Sequence, residues 1–341
     1  MPTWNDVRLE LDRTRLPNGN IDFDTVRRGK IRELAVHTGR PLLVYASDFL
    51  NQPKLQLVGQ EVNLDLMDKD GFLECTQRIP GQSLDVLVHS PGGLAEAAES
   101  IVKILRHKFT DIRFIVPNVA KSAATMLILS ANQIVMDTQS ELGPTDPQFV
   151  IQRGDGTVVF APAQAIIDQF EKAEAILKAD PKRLPAWIPI LPIYGPALYQ
   201  QCQNAIKLSK RLVKQWLAAY MFGSLPKQRA NRAATRISTF FANHNNFLTH
   251  LRRVDIDEML RLGANVYDMR NDAPLQSRVH ALYFAIVHTF QGTGAFKIIE
   301  NSVGDAYVRS ISAQALSPGM MVQMRPGPPP AAPPQPQQQQ P

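Results

Sequence analysis

From Pro41 the chain settles into short apolar runs separated by amphipathic stretches. PLLVYAS (41–47) is followed by SLDVLVHS (83–90), with Leu84, Val86 and Val88 alternating, then by IRFIVP (112–117) and NQIVMD (132–137). Runs this short and this rich in branched side chains read as strands. Between them, Leu94–Lys108 places Ala98, Ile101, Ile104 and Leu105 on one helical stripe, and Ala123–Ala131 is a second helical segment. Strands and helices in alternation predict β-α-β units, a mostly parallel core sheet and right-handed crossovers.

On either side of this core the pattern changes. Residues 1–40 are polar, with a helix expected around Ile21–His37, and form a helical lead-in. After about Asp155 strand signals thin out, and helical patterns run over Pro162–Ala179, Pro196–Phe222, Gln228–His244 and Pro274–Thr289. A short helix starts at Asp255 and stops at Gly263, and GAFKIIENS (294–302) reads as a late strand. From Ser317 the chain holds nine of its 26 prolines and closes in glutamines. That composition has too little apolar surface to offset its ordering entropy and predicts a disordered tail of polyproline character. The expected plan is a helical lead-in (1–40), an α/β core (41–155), a mainly helical second half packed on it (156–316) and the tail (317–341).

Composition narrows the setting. With 341 residues, 44% hydrophobic and 20% charged, the chain can bury a large core. Its two cysteines, Cys75 and Cys202, are too few for a secreted disulfide framework and lack the clustered spacing of a metal site, so a reducing cytoplasm is expected and no metal. The segment MPTWNDVRLELDRTR has no apolar stretch of the secretory kind. The most apolar later stretch, WIPILPIYGPALY (187–199), is broken by prolines and too short to span a bilayer. The net charge of +6 is mild. Part of it lies in KLSKRLVK (207–214) and KQRANRAATR (227–236), which can attract phosphate-rich partners but carry no interleaved aromatics and read as solvated helix faces; no nucleic-acid partner is expected.

Two segments carry candidate chemistry. Ser90-Pro91-Gly92-Gly93 follows one strand and precedes a helix, where two glycines let the backbone approach a ligand and turn N–H groups outward, as an oxyanion requires. Taken alone it would more often be a tight loop. Ser122, in NVAKSAAT (118–125), again follows a strand and opens an apolar helix, with small neighbours that leave room for a substrate. At that position a serine benefits from the helix dipole as a nucleophile, though taken alone it would more often be an ordinary helix cap.

In order, strand–SPGG–helix–strand–Ser–helix, then a third strand and GPTDPQ (143–148), resembles the Clp protease and signal peptide peptidase A superfamily. The fuller resemblance is to the serine dehydrogenase proteinase family. It rests on SLDVLVHSPGG, VPNVAKSAATMLILSANQIVMD and SELGPTDPQ, and extends more loosely from about residue 10 to 310. It implies a Clp/crotonase-like fold, Ser122 as nucleophile, the backbone N–H groups of Gly93 and Ala123 as oxyanion donors, a protein or peptide substrate and a homo-oligomer. No cofactor is implied, and no G-x-G-x-x-G follows a strand.

The sequence departs from the Clp proteases at the general base. Asp146, in Asp146-Pro147-Gln148, stands where they carry a histidine, and a carboxylate is a poor base for serine near neutral pH. Signal peptide peptidases use lysine instead, and Lys172, 50 residues after Ser122, has roughly their spacing, with Lys178 and Lys207 as competitors. EKAEAILK also reads as an ordinary solvated face. His244 and His250, six apart, do not make a helical zinc pair, but one of them can fold back to serve as the base. His89, before SPGG, either flanks the cleft or faces solvent. The expectation is a serine endopeptidase of Ser–Lys type; the alternative is a non-catalytic Clp-fold scaffold that binds peptides or assembles.

Overall fold

A computed structural model describes residues 2–152, 156–190, 195 and 197–311; the tail expected from Ser317 lies outside the described residues. The chain opens with helices α1 (Trp4–Arg13) and α2 (Phe23–Thr38), then strand β1 (Leu42–Ser47), helices α3 (Gln52–Val58) and α4 (Asp68–Gln77), β2 (Ser83–His89) and α5 (Ala95–Lys108). Next come β3 (Asp111–Ile115), the short β4 (Val119–Ala120), α6 (Ala123–Ile128), β5 (Gln133–Met136), β6 (Glu141–Leu142) and the hairpin β7 (Gln148–Gln152) with β8 (Val158–Pro162). The remainder holds α7 (Ala163–Ala179), α8 (Leu184–Trp187), α9 (Leu198–Trp216), α10 (Lys227–Ala242), α11 (Ile256–Arg261), β9 (Val266–Asp268), α12 (Ala273–Gly292), β10 (Ala295–Asn301) and β11 (Ala306–Ser310).

Seven strands form one sheet in the order β11-β10-β1-β2-β3-β5-β9. The run β1-β2-β3-β5-β9 is parallel throughout, and β10 and β11 add antiparallel at one edge. The mostly parallel α/β core expected from the strand–helix alternation is therefore the architecture observed. Every residue of β1 is buried because successive side chains enter opposite cores. Leu43 and Tyr45 join Val86, Val88 and Phe114 on the face covered by α4, α5 and α6, whereas Leu42, Val44 and Ala46 join Leu87, Ile115 and Ile298 beneath α2 and α12.

Buried charges tie β10 to the helices packed on the sheet. Lys297 on β10, almost wholly buried, donates to Asp68 at 2.9 and 3.0 Å and to the Asn63 carbonyl at 2.8 Å, and Asp68 also accepts from the Tyr45 hydroxyl at 2.8 Å. Glu300, on the same strand, is held by Arg27 at 2.7 Å and Arg28 at 2.5 Å. Burial depresses the Lys297 ammonium below its ordinary value and the Asp68 charge opposes that shift. Lys297→Ala leaves buried Asp68 with only the more distant Arg309, at 3.8 Å, as a cation and is expected to cost about 3 kcal/mol of stability, read from the denaturant midpoint. A loss below about 1 kcal/mol would show that the pair is not a structural tie.

Candidate active site

Parallel sheets bind ligands outside the carboxyl ends of their strands, and both chemistry-bearing segments lie there. After β2, Ser90 pairs with Ala120 through a parallel bridge, the Ser90 N–H donating to Val119 O at 3.0 Å and the Lys121 N–H to Ser90 O at 3.1 Å. On its other side the glycine turn pairs with Leu64, whose N–H donates to Gly92 O at 2.7 Å and whose carbonyl accepts from Leu94 N–H at 2.9 Å. Both glycines have positive φ (95° and 154°) and neither position has room for a side chain. A Cβ on Gly92 would lie 2.6 Å from the Ser122 Cβ, and one on Gly93 would lie 2.2 Å from Leu64 O.

Ser122 occupies the N-cap position of α6 with φ 51° and ψ −123°, yet its side chain makes no capping hydrogen bond. Among the described residues only Ser122 and Leu248 are non-glycines at positive φ. Such a conformation costs about 1–3 kcal/mol, and a serine on a sharp strand-to-helix turn is the arrangement that presents the nucleophile in α/β-hydrolases. Among the described residues, neither the Gly93 nor the Ala123 N–H donates to a backbone or side-chain acceptor. Gly92, Gly93, Ser122 and Ala123 all line one cleft of about 1030 Å³, with Met126, Thr145, Asp146, Leu208 and His250 among its other walls.

His250 reaches this cleft from the second half of the chain. Leu142 and Val254 exchange backbone hydrogen bonds at 3.0 and 2.9 Å, Thr145 N–H donates to Phe241 O at 2.9 Å, and Phe247 packs on Phe240 and Phe241. These contacts carry the 243–254 loop over Asp146. The His250 Nδ1 stands 2.7 Å from Asp146 Oδ1, and Oδ2 meets His244 Nδ1 at 3.0 Å and Gln148 Nε2 at 3.1 Å. Burial pushes the Asp146 carboxyl up, but the hydrogen bonds and charges of His250 and His244 outweigh it and hold the group below the ordinary carboxylate value. With Nδ1 directed at a carboxylate, each imidazole presents its Nε2 elsewhere, and of the two histidines it is His250 that lines the cleft.

The lysines are placed differently. Lys172 is exposed on α7 and does not line the cleft; Lys178 pairs with Glu174 at 2.6 Å; Lys207 is exposed on α9. Lys121, next to Ser122, is drawn aside onto Glu141 Oε2 at 2.9 Å and Leu142 O at 3.1 Å, its ammonium lowered by burial against the pull of Glu141. His89 neither flanks the cleft nor faces solvent. It is buried between the rings of Phe49 and Tyr283, and burial pushes its imidazole down to about 4.

Comparison with known proteins agrees with the family resemblance read from the sequence. Residues 30–184 match the ClpP-like SDH-type serine proteinase family, a span that contains both the glycine turn and Ser122. Two uncharacterized proteins of Methanocaldococcus jannaschii are 37% and 33% identical over 87 residues, a quarter of this chain and 30% of the length of each relative. Among solved structures, a serine-to-alanine mutant of the 1510-N membrane-bound stomatin-specific protease aligns at a TM-score of 0.36 and 16% identity, over 63% of this chain and 79% of its own. A lysine-to-alanine mutant of the same protease, in complex with a substrate peptide, aligns at 0.37 and 15%, over 77% and 93%.

The backbone at Ser122 makes a prediction of its own. Ser122→Gly removes the Cβ penalty at positive φ and Ser122→Ala keeps it, so the glycine variant is expected to be the more stable by about 1 kcal/mol. Equal or reversed thermal midpoints would show that the turn is unstrained.

Proposed function

We propose that the chain is a serine endopeptidase whose nucleophile is Ser122, whose base is His250 oriented by Asp146, and whose oxyanion donors are the Gly93 and Ala123 N–H groups. The observation that carries the reading is the 2.7 Å His250–Asp146 hydrogen bond at a cleft that Ser122 also lines. In this mechanism the His250 Nε2 takes the proton of Ser122 Oγ as the hydroxyl attacks the scissile carbonyl, and Asp146 keeps the Nδ1–H tautomer and steadies the imidazolium. The tetrahedral oxygen gathers its charge against two backbone N–H groups that have no other partner among the described residues. Collapse expels the amine with the proton from His250, and water, activated by the same imidazole, releases the acyl group.

Lys172, the base implied by the signal peptide peptidases, is disfavoured in this reading by its exposure on α7, away from the cleft. A peptide substrate is favoured by apolar walls at the cleft: Leu94, Phe160 and Leu251 are at least half exposed there, and Met126 and Leu208 lie deeper. Association with further copies of the chain belongs to the same proposal, and the outward Val150 and Val158 of the β7–β8 hairpin (63% and 56% exposed) suit such a contact.

A fluorophosphonate probe read by intact mass tests the chemistry. Wild type is expected to form one adduct that Ser122→Ala abolishes; His250→Ala is expected to slow labelling by about 10³-fold or more, with Lys172→Ala unchanged. Loss of labelling in Lys172→Ala but not in His250→Ala would reassign the base. No adduct on a correctly folded wild type would leave the peptide-binding scaffold as the better reading. Sedimentation of wild type beside Val150→Asp tests assembly: the variant is expected at lower mass, and a wild type already monomeric would refute self-association.

A further inference from the structure

Between Asp180 and Asp255 the chain has twelve lysines and arginines and no aspartate or glutamate, which leaves 25 basic against 31 acidic residues elsewhere. The positive balance of the protein is therefore confined to one segment, whose charged helices are α9 and α10. Solvated helix faces ordinarily mix both signs and gain from i,i+4 pairs, so this separation is not explained by solubility alone.

Where α9 meets α10 the charges converge. Arg211, Lys214, Gln215 and Ala218 follow the i, i+3, i+4, i+7 spacing of one helix face, and Lys227 and Asn231 approach from α10. Together they line a groove of about 630 Å³, distinct from the cleft at Ser122 and within the range of sites for small ligands. Among the described residues, none of Arg211, Lys214 and Lys227 forms an ion pair with a carboxylate. The start of α10 runs against helix electrostatics: Lys227 and Arg229 occupy its first turn, that turn holds no acidic residue, and Pro226 at the N-cap provides no side-chain acceptor. The connection that shapes the groove, Leu217–Met221, is a π-helical turn, a rare geometry that recurs at functional sites.

We infer that this groove is a binding site for a phosphate-bearing ligand, a phosphate ester or diphosphate whose negative charges sit among Arg211, Lys214, Lys227 and the open N–H groups of α10. Arginine supplies a planar fork for the phosphoryl oxygens, the lysines supply point charge, and the helix N-terminus supplies aligned donors. Leu225, Ala218 and Ala230 form apolar wall beside that charge, suited to the ester-bearing body of an organic phosphate. No exposed aromatic lines the groove for base stacking, which disfavours a nucleic-acid strand. The groove and its charges stand apart from the chemistry proposed at Ser122.

Titration calorimetry of the full chain with inorganic pyrophosphate tests the site, and co-sedimentation with phosphatidylglycerol vesicles identifies the source of the phosphate. Pyrophosphate is expected to bind wild type, and the triple variant Arg211→Gln, Lys214→Gln, Lys227→Gln to bind about tenfold more weakly or worse. A control triple variant removing Lys182, Arg183 and Lys207, equal in charge but outside the groove, is expected to bind like wild type. Vesicle binding that depends on the groove residues assigns the phosphate to a lipid headgroup; pyrophosphate binding without vesicle binding assigns it to a free ligand, and both uphold the site. Absence of binding to either probe, or equal weakening in the two folded triple variants, would overturn it.

Discussion

The two backbone hydrogen bonds between Ser90 and the 119–121 segment hold the glycine turn after β2 against the turn that opens α6, so tightly that not even a methyl group fits between Gly92 and Ser122. Leu64 clamps the same turn from the other side. With both flanks pinned, Ser122 is held in a backbone conformation that a free serine would leave, and its hydroxyl is withheld from the capping bond it would otherwise make. The unused N–H groups of Gly93 and Ala123 follow from the same geometry: the bridge to Leu64 engages residues 92 and 94 and passes over 93.

Asp146 organises the opposite wall. A buried carboxylate is costly unless it is fully hydrogen-bonded, and here two imidazoles and an amide satisfy it. The two imidazoles come from a loop about a hundred residues further along the chain, so the cleft is complete only after the second half has docked through Leu142–Val254 and Thr145–Phe241. The residue that departs from the Clp protease pattern is thus the residue to which the histidines attach. The family match stops at residue 184 and leaves His250 outside it, so the matched span holds the Ser122 turn and Asp146 but not the imidazole.

Much of the core was legible in the sequence. The apolar runs at 41–47, 83–90, 112–117 and 132–137 are four parallel strands, and of the stripe Ala98, Ile101, Ile104 and Leu105 all but the half-buried Ile104 join the core. The misses share a cause. The β7–β8 hairpin and β11 expose alternate residues and give a weak local signal, and β4 and β6 are two residues each, defined only by their partner strands. The burial of His89 is not legible because alternation along a strand says which face a side chain takes, not what covers that face; Phe49 and Tyr283 do.

What the sequence determined by itself is what local patterning encodes: the strand–helix alternation, the two glycines a side chain cannot replace, and a serine at the mouth of a helix. Tertiary structure alone decided which distant groups share a cleft with that serine. Lys172 had the spacing of a base and His250 did not, yet spacing along a chain measures distance in space only within one element. The hydrogen bonds at Leu142 and Thr145, formed between residues a hundred apart, place an imidazole at the cleft and leave the lysine in solvent.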